Sequence, residues 1–476
     1  MNFEAKYNLS KTNSKTNKNT TEVYIYKKSD SKLFINTVSL SKWEAELALK
    51  NNLTQLSGST GPIISVPLSK SNKKELSPSD YAIAREEMGP LIDILLSNNS
   101  KEVHIHFLNL EDDSIKGALV GIDLSLYSFT SDQSIGKVKF LKDGKVLTKS
   151  LVSKAKEISV AVNQARHLVN LPPNELHPVS YANAVKALYS KSKTLKVSIL
   201  DEKKLQKENC NLLLSVGMSS NNKPRIVHIK YRPVKAKSKK SIALIGKGIT
   251  FDSGGLDMKS AAGMRFMKKD MGGSATLVGF TRWLENSSVK VNVDIYLALA
   301  ENAVSENATR PSDIITARNG MKVEIHNTDA EGRLALADAM DLALELKPEI
   351  MIDVATLTGA GKVALGQDIA SLFSNDDKLA NDLQSVSNEM GDLVWKMPLY
   401  LPYYAALKSE FCDVSNSASG PGGAITAALF LEKFVGKTKW AHLDIFGWTS
   451  GAKPSLKQLG GSGQGVETLI GYFSKL

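Results

Sequence analysis

The stretch Ile242-Ala243-Leu244-Ile245-Gly246-Lys247-Gly248-Ile249-Thr250-Phe251-Asp252-Ser253-Gly254-Gly255 decides how the chain is read. Its first five residues form an apolar run of strand length. Glycines on both sides of the remainder permit a tight, irregular backbone. The spacing therefore predicts a strand over Ile242–Gly246, followed by a loop that carries an amine, Lys247, and a carboxylate, Asp252. Open α/β sheets present their chemistry beyond the carboxyl ends of buried strands.

Working outward, the same strand-loop-helix rhythm recurs. Strands are expected at Lys196–Leu200, Arg225–Tyr231, Val291–Ala298, Val323–His326, Ile350–Ala355 and Ala441–Phe446. Helices are expected at Gly273–Glu285, Arg333–Leu346, Asp376–Met390, Ala424–Val435 and Val466–Ser474. Such alternation argues for an α/β domain with a mostly parallel, helix-covered sheet. Upstream, a helix from Ser153 ends at Asn170, where Pro172-Pro173 stops it. We divide the chain into a polar, flexible tail over residues 1–22, a smaller N-terminal α/β domain over 23–160 and a larger catalytic α/β domain over 161–476. In the N-terminal part, Val103–Phe107 alternates like a strand and puts His104 and His106 on one face. With no third ligand in the neighbouring sequence, these read as ordinary strand histidines rather than a metal pair.

Composition narrows the classes. At 476 residues with 42% hydrophobic and 23% charged, the chain is an ordinary globular sequence. Two cysteines, Cys210 and Cys412, exclude a disulfide scaffold and a Cys-built zinc site. The polar first residues lack a secretory apolar segment, and no run approaches the roughly 18 apolar residues that cross a bilayer. A cytoplasmic protein with no membrane partner is expected. The net charge of +11 owes much to Lys223–Lys240, which holds eight basic and no acidic side chains. With Tyr231 as its lone aromatic residue, the block reads as a solvated hairpin connection. A nucleic-acid patch is the alternative.

Two further motifs complete the candidate site. Lys259 is followed by Met267-Lys268-Lys269-Asp270-Met271-Gly272-Gly273, and the later strand by Asn327-Thr328-Asp329-Ala330-Glu331-Gly332-Arg333. In a loop, Asp329 and Glu331 can both turn toward one point. Four carboxylates meeting Lys247, Lys259 and Arg333 are an excess of negative charge that burial makes costly. Divalent cations with a taste for hard oxygen, Mn²⁺, Mg²⁺ or Zn²⁺, balance it. Surface charges and helix caps are the plainer reading. Rival motifs fail on spacing. Gly361-Lys362 lacks the upstream glycine and the following Ser or Thr of a phosphate-binding loop. Phe251 stands where a dinucleotide fingerprint needs its third glycine, and no His-Glu-x-x-His occurs.

These motifs resemble the signatures of the leucyl, or cytosol, aminopeptidases, a family of dinuclear metallopeptidases. Asn327-Thr328-Asp329-Ala330-Glu331-Gly332-Arg333-Leu334 matches that family's octapeptide throughout, and the likeness runs from about Ala165 to the C-terminus. The resemblance implies two divalent ions per subunit. Lys247, Asp252, Asp270 and Glu331 would hold one; Asp252, Asp329 and Glu331 would hold the other. It further implies that Lys259 polarises the peptide carbonyl, and that Arg333 holds a bicarbonate acting as general base. Thr356, Leu357 and the neighbouring loop would offer backbone groups to substrate, and Met267 and Gly359 would line the pocket for the first side chain. Removal of an N-terminal, Leu-like residue from peptides by a homohexamer is the implied activity. One departure is Ser260, where the family often has proline. The alternative is a basic-surfaced DNA-binding or scaffold protein that retains the fold.

Overall fold

The computed structural model describes all residues except 1–7, 10–19, 59–60, 73–75, 235, 237–240 and 452. It divides into two compact units. The first comprises Met1–Asn163 with Asn388–Gly391 and Thr449–Leu459; the second comprises Gln164–Ser387, Asp392–Trp448 and Gly460–Leu476. The division falls inside the Lys149–Asn170 helix, and two later segments return to the first unit. A cut at residue 160 does not anticipate those returns.

The first unit is built on a seven-stranded sheet. Its order is Asn8–Leu9, Lys137–Lys142, Glu102–Leu108, Thr20–Lys27, Pro62–Leu68, Thr54–Ser57, with Lys145–Val146 paired to Lys137–Lys142. The tail expected over residues 1–22 is thus corrected at its end. Thr20 and Thr21 are fully buried, and Thr20–Lys27 lies in the sheet between two parallel partners. Its short Val-Tyr-Ile-Tyr run was masked in sequence by the Asn, Ser and Thr preceding it. Most of the tail lies outside the described residues. Tyr26, Phe34, Ala48, Leu56 and Leu108 form a small core. The helix Lys42–Lys50 beside it starts with a capping box, Ser41 accepting from the Glu44 N–H while Glu44 accepts from the Ser41 N–H.

The second unit carries an eight-stranded sheet in the order Val394–Lys396, Ala370–Ser374, Lys439–Asp444, Ile350–Ala355, Ser241–Asp252, Asn292–Asn302, Arg225–Tyr231, Leu195–Leu200. The four strands from Lys439–Asp444 to Asn292–Asn302 run parallel. Helices such as Gly272–Asn286 and Gly332–Leu344, largely buried, supply the apolar cover that lets parallel strands be hydrophobic on both faces. The fold is α/β, as expected. No helix among the described residues is long and apolar enough to cross a membrane. Both cysteines are free, and Cys210 is buried.

Three expectations change. Ser241–Asp252 stays in the sheet past Gly246, pairing with Asn292–Asn302 through Asp252, with an irregularity between Ile249 and Asp252. Lys247 and Asp252 therefore stand on a strand, not in a loop. Gly246 is there for closeness, since a methyl at that position would lie 2.8 Å from the Ser274 Cα. Second, Lys322–Glu324 belongs to a separate three-stranded sheet with Ile314–Thr316 and Val414–Ser415. Third, the basic block is no hairpin. Arg225–Tyr231 and Ser241–Asp252 pair with opposite edges of Asn292–Asn302 and not with each other. Within the block, Arg232 pairs with Asp294 at 2.9 Å, and Arg225 donates to the Lys223 and Pro224 carbonyls. Lys235, Lys237, Lys239 and Lys240 lie outside the described residues.

Candidate metal centre

Lys247 and Asp252 are five residues apart on the Ser241–Asp252 strand, and both are buried. Beyond Asp252 the chain reverses through Gly254 (φ +90°) and Gly255 (φ +67°), left-handed conformations that strain other residues. The reversal brings Lys259 back, its N–H donating to the Ser253 carbonyl at 2.9 Å. Asp270 lies in a short 3₁₀ turn, Met267–Met271, just before the Gly272–Asn286 helix. Glu331 stands at the N-terminal boundary of the Gly332–Leu344 helix without a side-chain cap, and Arg333 lies in its first turn. Asp329 precedes them by one tight turn, its N–H donating to the Asn327 side chain at 2.7 Å.

The side chains converge. The Lys247 ammonium lies 2.7 Å from Asp270 Oδ2 and 2.9 Å from Glu331 Oε1, and donates to the Thr356 carbonyl at 3.1 Å. The Lys259 ammonium lies 2.8 Å from Asp252 Oδ2 and also contacts Asp329. Asp252 Oδ1 accepts from the Gly254 N–H and the Asn302 amide, both at 2.9 Å. Asp270 Oδ1 accepts from the Thr356 hydroxyl at 2.8 Å. One oxygen each of Asp252, Asp329 and Glu331 lies within 4.8 Å of the others, a grouping able to hold a metal ion.

Electrostatics shows what this packing demands. Burial, then the neighbouring Asp252 and Asp270 carboxylates, push the Glu331 carboxyl up to about 8 against the pull of Lys247. Glu331 Oε2 is buried with no hydrogen-bond partner among the described residues. Burial works against the Lys247 charge, but Asp270, Glu331 and Asp252 outweigh it and raise its pKa. Four carboxylates against two ammonium groups, with a carboxylate oxygen left bare, fit a site completed by added positive charge. All-oxygen donors plus one amine suit hard or borderline dications.

Arg333 is also buried, donates to the Asn416 carbonyl at 2.8 Å, and leaves its Nε without a partner among the described residues. Burial lowers its pKa to about 10. In the loop after Ile350–Ala355, the Leu357 and Thr358 N–H groups both donate to Asp444 Oδ1, at 2.8 and 3.2 Å. Those two N–H groups are engaged inside the protein. Met267 is half-buried at the start of its 3₁₀ turn; Gly359 is exposed at the start of the Gly359–Leu365 helix.

Sequence reasoning missed the scaffold. Asn302 bridges Asp252 and the Thr328 carbonyl. Thr328 donates to the Gly254 carbonyl at 2.6 Å and accepts from the Asp257 N–H at 2.8 Å, joining the two motif loops. Asn416 takes the His326 and Asn327 N–H groups at 2.8 and 3.2 Å and donates to the Asn327 carbonyl at 2.7 Å. Thr328 lay within a quoted motif. Nothing local marks Asn302, Asn416 or Asp444.

Fold and site together define an α/β protein with a buried carboxylate and lysine centre near the ends of parallel strands, of the kind that hosts divalent ions. The chain belongs to the cytosol aminopeptidase family, whose catalytic-domain model matches residues 163–470. It is 42% identical to a probable cytosol aminopeptidase of Nostoc punctiforme over 324 residues, 67% of this chain and 65% of that protein. The match thus spans just under two thirds of that relative's length. Among solved structures, the cytosol aminopeptidase of Coxiella burnetii is 30% identical, with a TM-score of 0.83 over 98% of this chain and 99% of its own. The bottromycin maturation enzyme BotP in complex with Mn is 25% identical, with a TM-score of 0.85 over 96% and 99%.

Proposed function

We propose that the protein is a metal-dependent aminopeptidase that removes the N-terminal, preferably apolar and Leu-like, residue of peptides. The observation that carries this reading is the buried excess of carboxylates around Lys247 and Lys259, with Glu331 Oε2 unpartnered among the described residues. Family membership supports it. In this reading Lys247, Asp252, Asp270, Asp329 and Glu331 hold two divalent ions, Mn²⁺ or Zn²⁺, with Mg²⁺ as a third candidate. When bound, such ions supply a water of lowered pKa and a site for the substrate's free amine.

The chain's own groups do the rest. Lys247 acts as a ligand only when neutral, the form that an adjacent dication would favour. Lys259 sits at the cluster's less buried side, where its ammonium can donate to the scissile carbonyl oxygen as negative charge builds there. Arg333, with an unpartnered Nε, is suited to a small anion such as bicarbonate, which would take a proton from the attacking water. Met267 and Gly359 would shape the pocket for the first side chain, and carbonyls of the Thr356–Leu357 loop would orient the substrate. A homohexamer in the cytoplasm is part of the proposal and is checked by sedimentation.

The test is metal content together with turnover on a panel of aminoacyl-amides, each run with Mn²⁺, Zn²⁺ and Mg²⁺. Glu331→Ala should lose metal and activity together while keeping its circular dichroism. Full activity in that variant sinks the assignment.

A further inference from the structure

The first unit holds a second cluster of ligand-type side chains. In the parallel pairing of Thr20–Lys27 with Glu102–Leu108, Glu22 stands opposite His104 and Tyr24 opposite His106. Residues at registered and alternate positions share one face of the sheet. The two imidazoles and the carboxylate therefore gather on that face. Glu22 Oε1 lies 3.0 Å from His104 Nδ1, and Glu22 Oε2 lies 2.6 Å from His106 Nε2. One ligand atom from each of the three residues lies within 4.8 Å of the others.

We propose that Glu22, His104 and His106 form a binding site for a single borderline dication of the Zn²⁺ or Ni²⁺ class, separate from the carboxylate centre. Two features favour an ion over a plain hydrogen-bonded trio. The other nitrogen of His104, Nε2, faces Glu102 Oε1 at 3.3 Å. A metal-ligating histidine characteristically gives its second N–H to a carboxylate, which sets the tautomer and turns the free lone pair toward the ion. Next, the rings are held in place. Tyr24 stacks on His106 with centroids 4.5 Å apart and an interplanar angle of 11°, and His104 is buried.

The three ligand atoms already lie within 4.8 Å of one another. Ligand atoms around a tetrahedral ion with bonds of about 2.0–2.1 Å stand roughly 3.4 Å apart. The present 2.6 and 3.0 Å contacts are hydrogen bonds that would open by less than about 1 Å as the ion replaces the shared protons. Three protein ligands leave a fourth position for water, and His106 and Glu22 keep 18% and 14% of their side chains exposed, so an ion has a way in. Two imidazoles set the preference. They favour Zn²⁺, Ni²⁺ or Cu²⁺ over Mn²⁺ and Mg²⁺, the reverse of a carboxylate-dominated site.

The experiment is equilibrium dialysis of the full chain against Ni²⁺, counting ions per chain, alongside the variant carrying His104→Asn and His106→Asn. The wild type should bind one more Ni²⁺ per chain than the variant. Equal Ni²⁺ counts overturn the proposal. If the double variant fails to fold, anomalous diffraction at the nickel edge from wild-type crystals decides. A peak between Glu22 and His106 supports the site, and its absence at full Ni²⁺ loading overturns it. Neither readout depends on the peptidase reading, because the count difference arises outside the carboxylate centre.

Discussion

A single methyl group at residue 332 separates the chemistry of the carboxylate centre from its fold. In Gly332→Ala, the added Cβ would lie 2.5 Å from both Cε and Nζ of Lys247 and 2.7 Å from its Cδ. Carbon contacts settle at about 3.5–4.0 Å, so the amine must retreat by roughly 1 Å. Its contacts to Asp270, Glu331 and the Thr356 carbonyl now stand at 2.7, 2.9 and 3.1 Å, and that retreat takes most of them out of hydrogen-bond range. Lys247 is the flexible end of a side chain, so the fold can absorb the methyl at an overpacking cost of about 1–3 kcal/mol. A displacement near 1 Å in a reacting constellation costs about 100-fold in rate. Gly273→Ala is the control. There the Cβ would lie 1.9 Å from the Val354 carbonyl oxygen, a backbone atom that cannot swing away, so the Gly272–Asn286 helix must lift off the sheet. The assay is kcat in Mn²⁺, metal content and thermal melting for both proteins. Gly332→Ala should melt within about 10 °C of wild type yet lose about 100-fold in kcat, whereas Gly273→Ala should lose folded protein. Wild-type kcat in a folded Gly332→Ala would refute the claim that the position of the Lys247 amine matters.

Three other outcomes are expected. Lys259→Ala should retain metal while kcat falls by about 100-fold or more; unchanged kcat removes Lys259 from the mechanism. Asp353→Ala should destabilise the second unit by about 3–5 kcal/mol in urea titrations, because it strips the fully buried His442 ring (2.6 Å) and the Trp440 indole N–H (2.7 Å) of their shared partner. A loss under about 1 kcal/mol contradicts that account. Asp338, its carboxyl pushed up to about 7 by burial, accepts from the Leu213 and Arg318 N–H groups, both at 3.0 Å. The folded state binds this proton more tightly than the unfolded state. Its contribution is therefore complete below the ordinary value of 3.8 and is lost as pH rises through about 7. The unfolding free energy of wild type from urea titrations should thus decline between pH 5 and pH 8 by a few kcal/mol more than that of Asp338→Asn; parallel pH profiles dismiss the buried charge.

Much of this was legible in local sequence because the informative signals were short-range. The apolar run at Ile242 and the helix over Val466–Ser474 follow from periodicity, and the observed helix has those bounds. Asp329 and Glu331 are close in sequence, so their meeting Lys247 and Asp252 required just one long-range step. Where reading failed, the deciding partner was distant. The pairing that holds Lys247 and Asp252 in a strand comes from Asn292–Asn302. The strand partners that make Arg225–Tyr231 and Ser241–Asp252 non-neighbours are likewise remote. Glu22 is 82 residues from His104 and sits at the edge of a stretch whose composition looked like tail.

By itself, then, the sequence determined the α/β class, the family resemblance and the inventory of charged groups, since alternation and motif spacing are properties of adjacent residues. Only the tertiary structure decided which charges face one another. It set Lys247 between Asp270 and Glu331, used Asp444 to occupy the Leu357 and Thr358 N–H groups, and carried Glu22 to the two histidines. The physical reason is that hydrogen bonding, desolvation and Coulomb attraction act over a few ångströms of space, and chain separation says little about that distance until strands have found their register.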